Sequence, residues 1–333
     1  MVKAIRLHKA GGPEVLRYED VEVGAPGPVE ALVRHGAIGL NFVDTYLRAG
    51  RGAYGDSDKP YPLDYPAILG FEGAGVVEAI GPGVSAVAVG DRVAYSAIAM
   101  GAYVEKRVLG ADVLVKLPQG VSEQVGAAAI LKGLTAEYLL RRCFKVEPGQ
   151  TILLHAAAGG CGLLMSQWAA HLGATVIGTV SSPEKAELAR RHGCAHVIDY
   201  SRENFVARVR EITNGAGVPV VYDSVGRATF MGSLDCLAPR GTMVVFGQAS
   251  GPIDPVPLNA LTDRGSLFLT RPGLFNYTST RAELVAAADV LFGLISRGVL
   301  KVDIGQTFPL RDAAEAHRAL ETRRTHGSTV LLP

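Results

Sequence analysis

The sequence is short of cysteine and has no excess of charge of either sign. Its four cysteines, Cys143, Cys161, Cys194 and Cys236, are scattered, with no Cys-x-x-Cys pair. That argues against a disulfide framework and against a cysteine-built structural zinc site. There are 33 Lys and Arg against 32 Asp and Glu, a net charge of +1, so the electrostatic footprint of a nucleic-acid binder is missing. Long apolar runs are missing too. The longest, 152–165, is too short to span a bilayer and carries His155 and two adjacent glycines. Residues 1–6 lack the apolar core of a signal peptide. The 40 glycines follow no Gly-X-Y period, which excludes collagen and forecasts tight turns. There is no internal repeat and no low-complexity tract. What remains is a chain of 333 residues, 48% apolar and 20% charged, enough for a packed core in about two domains. It reads as a soluble, cytoplasmic protein with no nucleic-acid or membrane partner.

The first third is β-rich. Short runs at 4–7, 18–23, 31–37, 75–80, 92–96, 102–108 and 113–117 are cut by Gly-Pro and Gly-Asp turns. A short helix is expected at 41–49, closed by Gly50, and the unpatterned stretch 51–66 is expected to be a loop. Helical patterns begin at Ser122 and again at Leu134. From Thr151 onward strands and amphipathic helices alternate, with strands at 151–156, 175–180, 196–198, 219–222, 242–246 and 266–270. Apolar strands alternating with helices predict a parallel sheet covered on both faces. After Arg271 the pattern shifts again, to helices at 281–297 and 312–320 and a strand at 328–332.

The strongest local signal is His155-Ala156-Ala157-Ala158-Gly159-Gly160-Cys161-Gly162, which follows an apolar strand and opens a helix. Such a turn lets the backbone approach a pyrophosphate and aims a helix N-terminus at it. The expected contacts are Ala158, Gly159, Gly160, Cys161 and Gly162. In the usual Gly-x-Gly-x-x-Gly pattern the first glycine would fall on Ala157; Gly159 and Gly162 take the second and third places. The next strand ends Thr179-Val180-Ser181-Ser182. It lacks the carboxylate that NAD enzymes set against the ribose 2′-hydroxyl. Taken singly, Ser182 reads as a helix N-cap and Lys185 as a surface charge. Taken together, the hydroxyls and the ammonium suit a 2′-phosphate and point to NADP. Ser224, Phe246, Gly247, Gln248, Leu269, Thr270 and Arg271 fall at the carboxyl ends of later strands, the face where open α/β sheets bind ligands.

Several motifs together carry a family resemblance: Gly11-Gly12-Pro13-Glu14-Val15-Leu16, Asn41-Phe42-Val43-Asp44-Thr45-Tyr46, Leu131-Lys132-Gly133-Leu134-Thr135, the glycine turn, Val221-Tyr222-Asp223-Ser224-Val225-Gly226 and Leu269-Thr270-Arg271-Pro272. Over its whole length the chain resembles the zeta-crystallin-type quinone oxidoreductases, a zinc-free branch of the medium-chain dehydrogenase/reductase superfamily. The resemblance implies an α/β fold in which a doubly wound Rossmann sheet is inserted into a β-rich, GroES-like catalytic domain. The implied division is 1–127, 128–270 and 271–333, with a cleft between the domains. It also implies that Phe42, Val43, Asp44, Thr45 and Tyr46 line the nicotinamide end of NADPH. Thr135 would contact the cofactor, and Tyr200 would join Ser181 and Lys185 near the 2′-phosphate. The implied assembly is a homodimer paired near Ser266 to Thr270.

The implied chemistry is hydride transfer from NADPH to a quinone or related conjugated carbonyl, with the cofactor supplying the chemistry and the protein supplying position and electrostatics. Asn41 and Tyr46 are the expected orienting groups, and Arg271 frames the nicotinamide end. The alternative for Tyr46 is a packing aromatic on a short helix, and the proton comes from Tyr46 or water. Zinc-dependent relatives carry a Cys in the Asn41 segment and Gly-His-Glu where this chain has Gly70-Phe71-Glu72. Phe71 cannot ligate a metal and catalytic zinc needs three protein ligands, so no metal is expected; Glu72 reads as a structural carboxylate. The 51–65 loop is longer than in typical bacterial members. Its Tyr54 and Tyr61 either wall the substrate cleft or belong to a surface excursion. Two alternatives stand beside the quinone reading: a 2-alkenal or enone reductase, and a weakly catalytic NADPH-binding structural or sensor protein. There is no Gly-x-Ser-x-Gly elbow, which argues against a serine hydrolase, and His155 reads as buried support.

Overall fold

The computed structural model describes residues 1–52, 63–97 and 99–333. They form two compact units: Met1–Leu134 with Thr278–Gly298 and Val302–Pro333, and Thr135–Tyr277 with Val299–Lys301. In chain order the first unit holds β1 (Val2–Leu7), β2 (Leu16–Val21), β3 (Glu30–Leu40), α1 (Phe42–Arg48), β4 (Ala67–Ile68), β5 (Glu72–Ile80), β6 (Arg92–Ser96), β7 (Lys106–Gly110) and β8 (Leu114–Lys116), and α2 (Glu123–Tyr138) starts in it. The second holds β9 (Thr151–Leu154), α3 (Gly160–His171), β10 (Thr175–Val180), α4 (Pro183–Arg191), β11 (Cys194–Asp199), α5 (Phe205–Ile212), β12 (Val218–Asp223), α6 (Phe230–Cys236), β13 (Leu237–Val245), α7 (Asn259–Thr262), β14 (Phe268–Thr270) and α8 (Leu274–Tyr277). The chain then returns to the first unit with α9 (Arg281–Ser296), β15 (Ile304–Pro309), α10 (Ala313–Glu321) and β16 (Ser328–Leu332).

The second unit is a six-stranded parallel sheet in the order β11-β10-β9-β12-β13-β14. Counted from β9 this is the 3-2-1-4-5-6 order of the doubly wound dinucleotide fold. The apolar runs that predicted it are buried: Leu153, Ile177, Val221 and Met243 are wholly enclosed, with Phe230 and Leu234 of α6 packed on them. The first unit carries a seven-stranded sheet in which β15-β16-β3-β5-β6-β8 form a path and β7 also pairs β3, and a smaller sheet β2-β1-β4. β16 runs antiparallel to the end of β3, with Val330 opposite Gly39, so the Rossmann unit is an insertion into the β-rich one.

Three local expectations change. Helical signals at Ser122 and Leu134 belong to one helix, α2, which runs through Gly133. A Cβ at Gly133 would run into the Leu291 side chain of α9, so this glycine serves close packing and not helix termination. The expected strand at 102–108 is laddered only over Lys106–Gly110. Ahead of it, the Tyr103 carbonyl accepts the Ile5 N–H at 2.8 Å and Val104 forms a lone bridge with Ala4. β15 was missed because none of its residues is buried and no alternation marks it. Among the described residues, no helix is long and apolar enough to cross a membrane.

Candidate functional site

The order of the parallel sheet reverses between β9 and β12, and the carboxyl ends of such strands open a crevice for ligands. After β9 the chain enters the glycine turn. Ala156 takes φ 53° and Gly159 is the extended N-cap of α3. A Cβ at Gly162 would collide with the Ala156 carbonyl oxygen and lie 2.8 Å from Ala157 Cα, so only glycine lets turn and helix close together. Around Gly159 there is more room, the nearest atom to a Cβ being Ala156 O at 3.3 Å. Ala157, in the first motif position, is fully buried. A Cβ on Gly178 of β10 would lie 2.7 Å from the Ala157 Cβ. The glycine missing from the turn is therefore supplied by the strand beside it. Ala158 is buried, while Gly160 and Cys161 are half-buried in the first turn of α3.

His155 is buried as expected. Its Nδ1 lies 2.8 Å from Thr179 Oγ1 and its Nε2 2.9 Å from Ser233 Oγ. Ser233 in turn lies 3.0 Å from Asp223 Oδ2. Burial lowers the His155 pKa, with Asp223 opposing. The serine of this Asp–Ser–His set is wholly buried. Asp223 also ties down the next turn, accepting N–H donors from Val225 at 2.7 Å and Gly226 at 2.9 Å. The set fixes β9, β10, β12 and α6 to one another beneath the glycine turn.

The tips of β10 and β11 lie side by side. Val180 pairs with Asp199, and Tyr200 donates its N–H to the Val180 carbonyl at 3.1 Å, which brings Tyr200 beside Ser181. Ser182 Oγ accepts the Lys185 N–H at 3.3 Å as the N-cap of α4, a role worth about 1 kcal/mol. Its hydroxyl is thus engaged by the helix, and Lys185 stands in the first turn. Arg202, two residues past Tyr200, was not anticipated; it is 71% exposed and 3.8 Å from Asp199. It sits in a loop without periodic pattern, where only the neighbouring strand tips mark it out.

Further along the same sheet, Ser224 follows β12, and a Cβ on Gly247 would come 2.9 Å from the Ser224 carbonyl oxygen. Gln248 is 2% exposed. Its Oε1 accepts a hydrogen bond from Arg271 Nη2 at 2.7 Å, and its Nε2 has no partner among the described residues. Phe246 and Gly247 are half-buried beside it, Leu269 and Thr270 lie on the edge strand β14, and Thr135 is half-buried on α2.

In the first unit, Asn41 is the extended N-cap of α1 (φ −132°, ψ 157°). Its Nδ2 donates to Glu72 Oε1 at 2.8 Å. Glu72, with no exposed surface, also lies 2.5 Å from Lys132 Nζ and accepts the Leu131 N–H at 2.8 Å. The carboxylate read as structural is the hub that joins Asn41 to α2. Phe42, Val43 and Tyr46 are half-buried, and the rings of Phe42 and Tyr46 lie 6.4 Å apart. Thr45 is buried and donates its hydroxyl to the Phe42 carbonyl at 2.7 Å. Asp44 is wholly buried and turns its carboxylate to the Asn41 N–H at 2.9 Å and the Tyr103 hydroxyl at 3.0 Å. Burial pushes its pKa up to about 7, opposed by those two donors. Phe71 is buried in the core. Among the described residues no group of three or more His, Cys, Asp or Glu is placed to hold a metal ion. Tyr54 and Tyr61 lie outside the described residues.

Residues 27–148 match the alcohol dehydrogenase GroES-like domain and residues 160–286 the zinc-binding dehydrogenase family. The chain is 54% identical to a quinone oxidoreductase of Pseudomonas aeruginosa, covering all of both chains. It is 50% identical to a 2-haloacrylate reductase of a Burkholderia species, covering all of this chain and 99% of that one. Among solved structures, the Escherichia coli quinone oxidoreductase complexed with NADPH matches with a TM-score of 0.95 and 47% identity, covering 99% of this chain and all of that one. Its parallel sheet, its glycine turn and these matches agree: the chain belongs to the quinone oxidoreductases of the medium-chain dehydrogenase/reductase superfamily.

Proposed function

We propose that the protein is an NADPH-dependent oxidoreductase that reduces a quinone or related conjugated carbonyl without a metal. The observation that carries this reading is that β10 ends at Val180 without a carboxylate of its own, with Ser181 next in the chain, Tyr200 bonded by its N–H to the Val180 carbonyl and Lys185 in the first turn of α4. The residues fit the cofactor. Gly159 has a single atom, Ala156 O at 3.3 Å, within 4 Å of where a Cβ would stand, and the buried Nε2 of Gln248, without a partner among the described residues, is a donor in want of an acceptor. Bound NADPH supplies the hydride. Gly159 to Gly162 receive the pyrophosphate at the helix N-terminus. Ser181, Lys185 and Tyr200 hold the 2′-phosphate, while Ser182 shapes the helix that carries Lys185. Ser224, Phe246, Gly247 and Gln248 with Thr270 and Arg271 border the nicotinamide end. Asn41 and Tyr46 orient the acceptor, with Phe42 and Val43 flanking them. Asp44 and Thr45 act on that end through the backbone of α1.

Lys185→Ala should raise the KM for NADPH roughly tenfold or more, as expected for a charge-assisted contact, and leave the KM for NADH nearly unchanged. Equal losses with both cofactors would remove the 2′-phosphate assignment. The similarity to a 2-haloacrylate reductase favours a second reading, reduction of an activated alkene. Steady-state NADPH oxidation across quinones, 2-alkenals and cyclic enones separates the two, since a true quinone reductase keeps its highest kcat/KM on quinones. No turnover with any of them would leave a binding protein.

We propose the division 1–127, 128–270 and 271–333 for the functional domains, and a cytoplasmic setting, which the four free thiols suit. We also propose a homodimer paired through β14. This edge strand exposes Phe268 (62%) and Leu269 (41%), an apolar edge of the kind that seeks a partner strand. Phe268→Glu should shift the protein from dimer to monomer in sedimentation at micromolar concentration; an unaltered protein already monomeric there would refute the pairing.

A further inference from the structure

A chain of buried polar groups runs from the surface to the N-terminus of α1. Glu321, on α10, takes both terminal nitrogens of Arg48, Nη2 at 2.7 Å and Nη1 at 3.1 Å. Arg48 is only 2% exposed. Its Nη1 also lies 3.0 Å from His317 Nδ1, His317 Nε2 lies 3.1 Å from the Tyr103 hydroxyl, and that hydroxyl lies 3.0 Å from Asp44 Oδ2. The direction of every bond follows from its members. A guanidinium only donates, so His317 Nδ1 accepts and the ring proton sits on Nε2. Nε2–H therefore donates to Tyr103, whose own proton goes to Asp44. Burial and the Arg48 charge lower the His317 pKa to about 3, so the ring stays neutral. Gly70 makes room for the chain, since a Cβ there would lie 2.5 Å from the Tyr103 ring. Gly11, from the first motif of the sequence, holds its far side. Its carbonyl accepts from Arg48 Nε at 3.1 Å and its N–H donates to the Arg48 carbonyl at 2.9 Å.

Asp44 Oδ2 thus accepts from both Tyr103 and the Asn41 N–H, while Oδ1 has no hydrogen-bond partner among the described residues. We propose that Glu321, Arg48, His317, Tyr103 and Asp44 form a positioning relay in which ionised Asp44 holds Asn41 and the first turn of α1 for turnover, and protonated Asp44 releases them. This rests on the reading that Asn41 and Tyr46 meet the acceptor. Glu72 and Lys132 are the other charges that bear on Asp44, the first raising its pKa and the second lowering it. The relay operates in the neutral range because burial brings the Asp44 pKa to about 7.

The test is the pH profile of kcat at saturating NADPH with a small benzoquinone, paired with a 13C-aspartate NMR titration of the protein alone. Tyr103→Phe removes a donor that favours ionised Asp44, so both midpoints should rise by roughly one unit and the rate on the acid limb should fall about tenfold. Glu321→Gln sits at the partly exposed end and keeps the protein testable if Tyr103→Phe does not fold. It leaves the Arg48 charge uncompensated and should lower both midpoints. Lower rates with unchanged midpoints in the variants would mean that the chain is only structural, and would overturn the relay. Asn41→Ala serves as the separate control. If it leaves quinone kinetics untouched, the acceptor assignment fails, and the relay loses its object whatever the midpoints do.

Discussion

Glu72→Ala should cost the protein about 3–5 kcal/mol of stability, the usual penalty for removing one member of a buried ion pair. Glu72 has no exposed surface and Lys132 is 7% exposed. The variant leaves the Lys132 ammonium, the Asn41 amide and the Leu131 N–H without the acceptor they share. Urea denaturation followed by circular dichroism measures the loss. Glu72→Gln keeps an acceptor and should lose less. Replacing the pair together, with Glu72→Leu and Lys132→Met, should recover only the part of the loss that comes from the charge pair, because the Asn41 amide and the Leu131 N–H still lack the acceptor they had in Glu72. A loss below about 1 kcal/mol for Glu72→Ala would mean that water reaches Lys132 and solvates it.

Gly162→Ala should reduce NADPH affinity on the order of 100-fold, equivalent to about 3 kcal/mol. The added methyl meets the Ala156 carbonyl oxygen and the Ala157 backbone. Neither is a flexible side chain, so either the turn or α3 must move. Both carry the N–H groups aimed at the pyrophosphate. Gly159→Ala meets only Ala156 O, at 3.3 Å, and should leave the melting temperature nearly unchanged while still narrowing the approach of the ligand. Fluorescence titration with NADPH and thermal melts separate the two cases. Equal affinity in wild type and Gly162→Ala would show that the turn does not bind the pyrophosphate.

The sheet of the second unit was legible because its strands are short, almost wholly apolar and separated by amphipathic helices, and each of these is a local signal. The glycine turn was legible for the same reason, although the alanine in its first position makes sense only beside Gly178, a strand residue with no motif of its own. Other features depend on residues far apart in the chain. Arg48 and His317 are 269 positions apart and meet in the core. No spacing rule links them, and His317 looks like any other helix residue. The Asn41–Tyr46 segment was recognised as a unit, but its division into half-buried residues (Asn41, Phe42, Val43, Tyr46) and buried ones (Asp44, Thr45) follows from Glu72 on β5 and Tyr103 in the segment ahead of β7, both distant in the chain. Continuity of α2 through Gly133 was hidden because glycine usually ends helices, and only the close packing of Leu291 explains its presence.

The placement of β16 has a consequence for synthesis on the ribosome. Chains are made from the N-terminus at about 5–20 residues per second, and domains fold as their residues emerge. The Rossmann unit has all of its own residues once Lys301 has emerged. The first unit, begun at Met1, does not: the Ile38–Leu40 stretch of β3 pairs with Thr329–Leu331 of β16. A nascent chain therefore carries a finished cofactor unit while the end of β3, in the larger sheet of the first unit, is still unpaired with β16. A C-terminal truncation that removes β16 would make this interim state permanent, with aggregation through the open edge of β3 as the expected outcome.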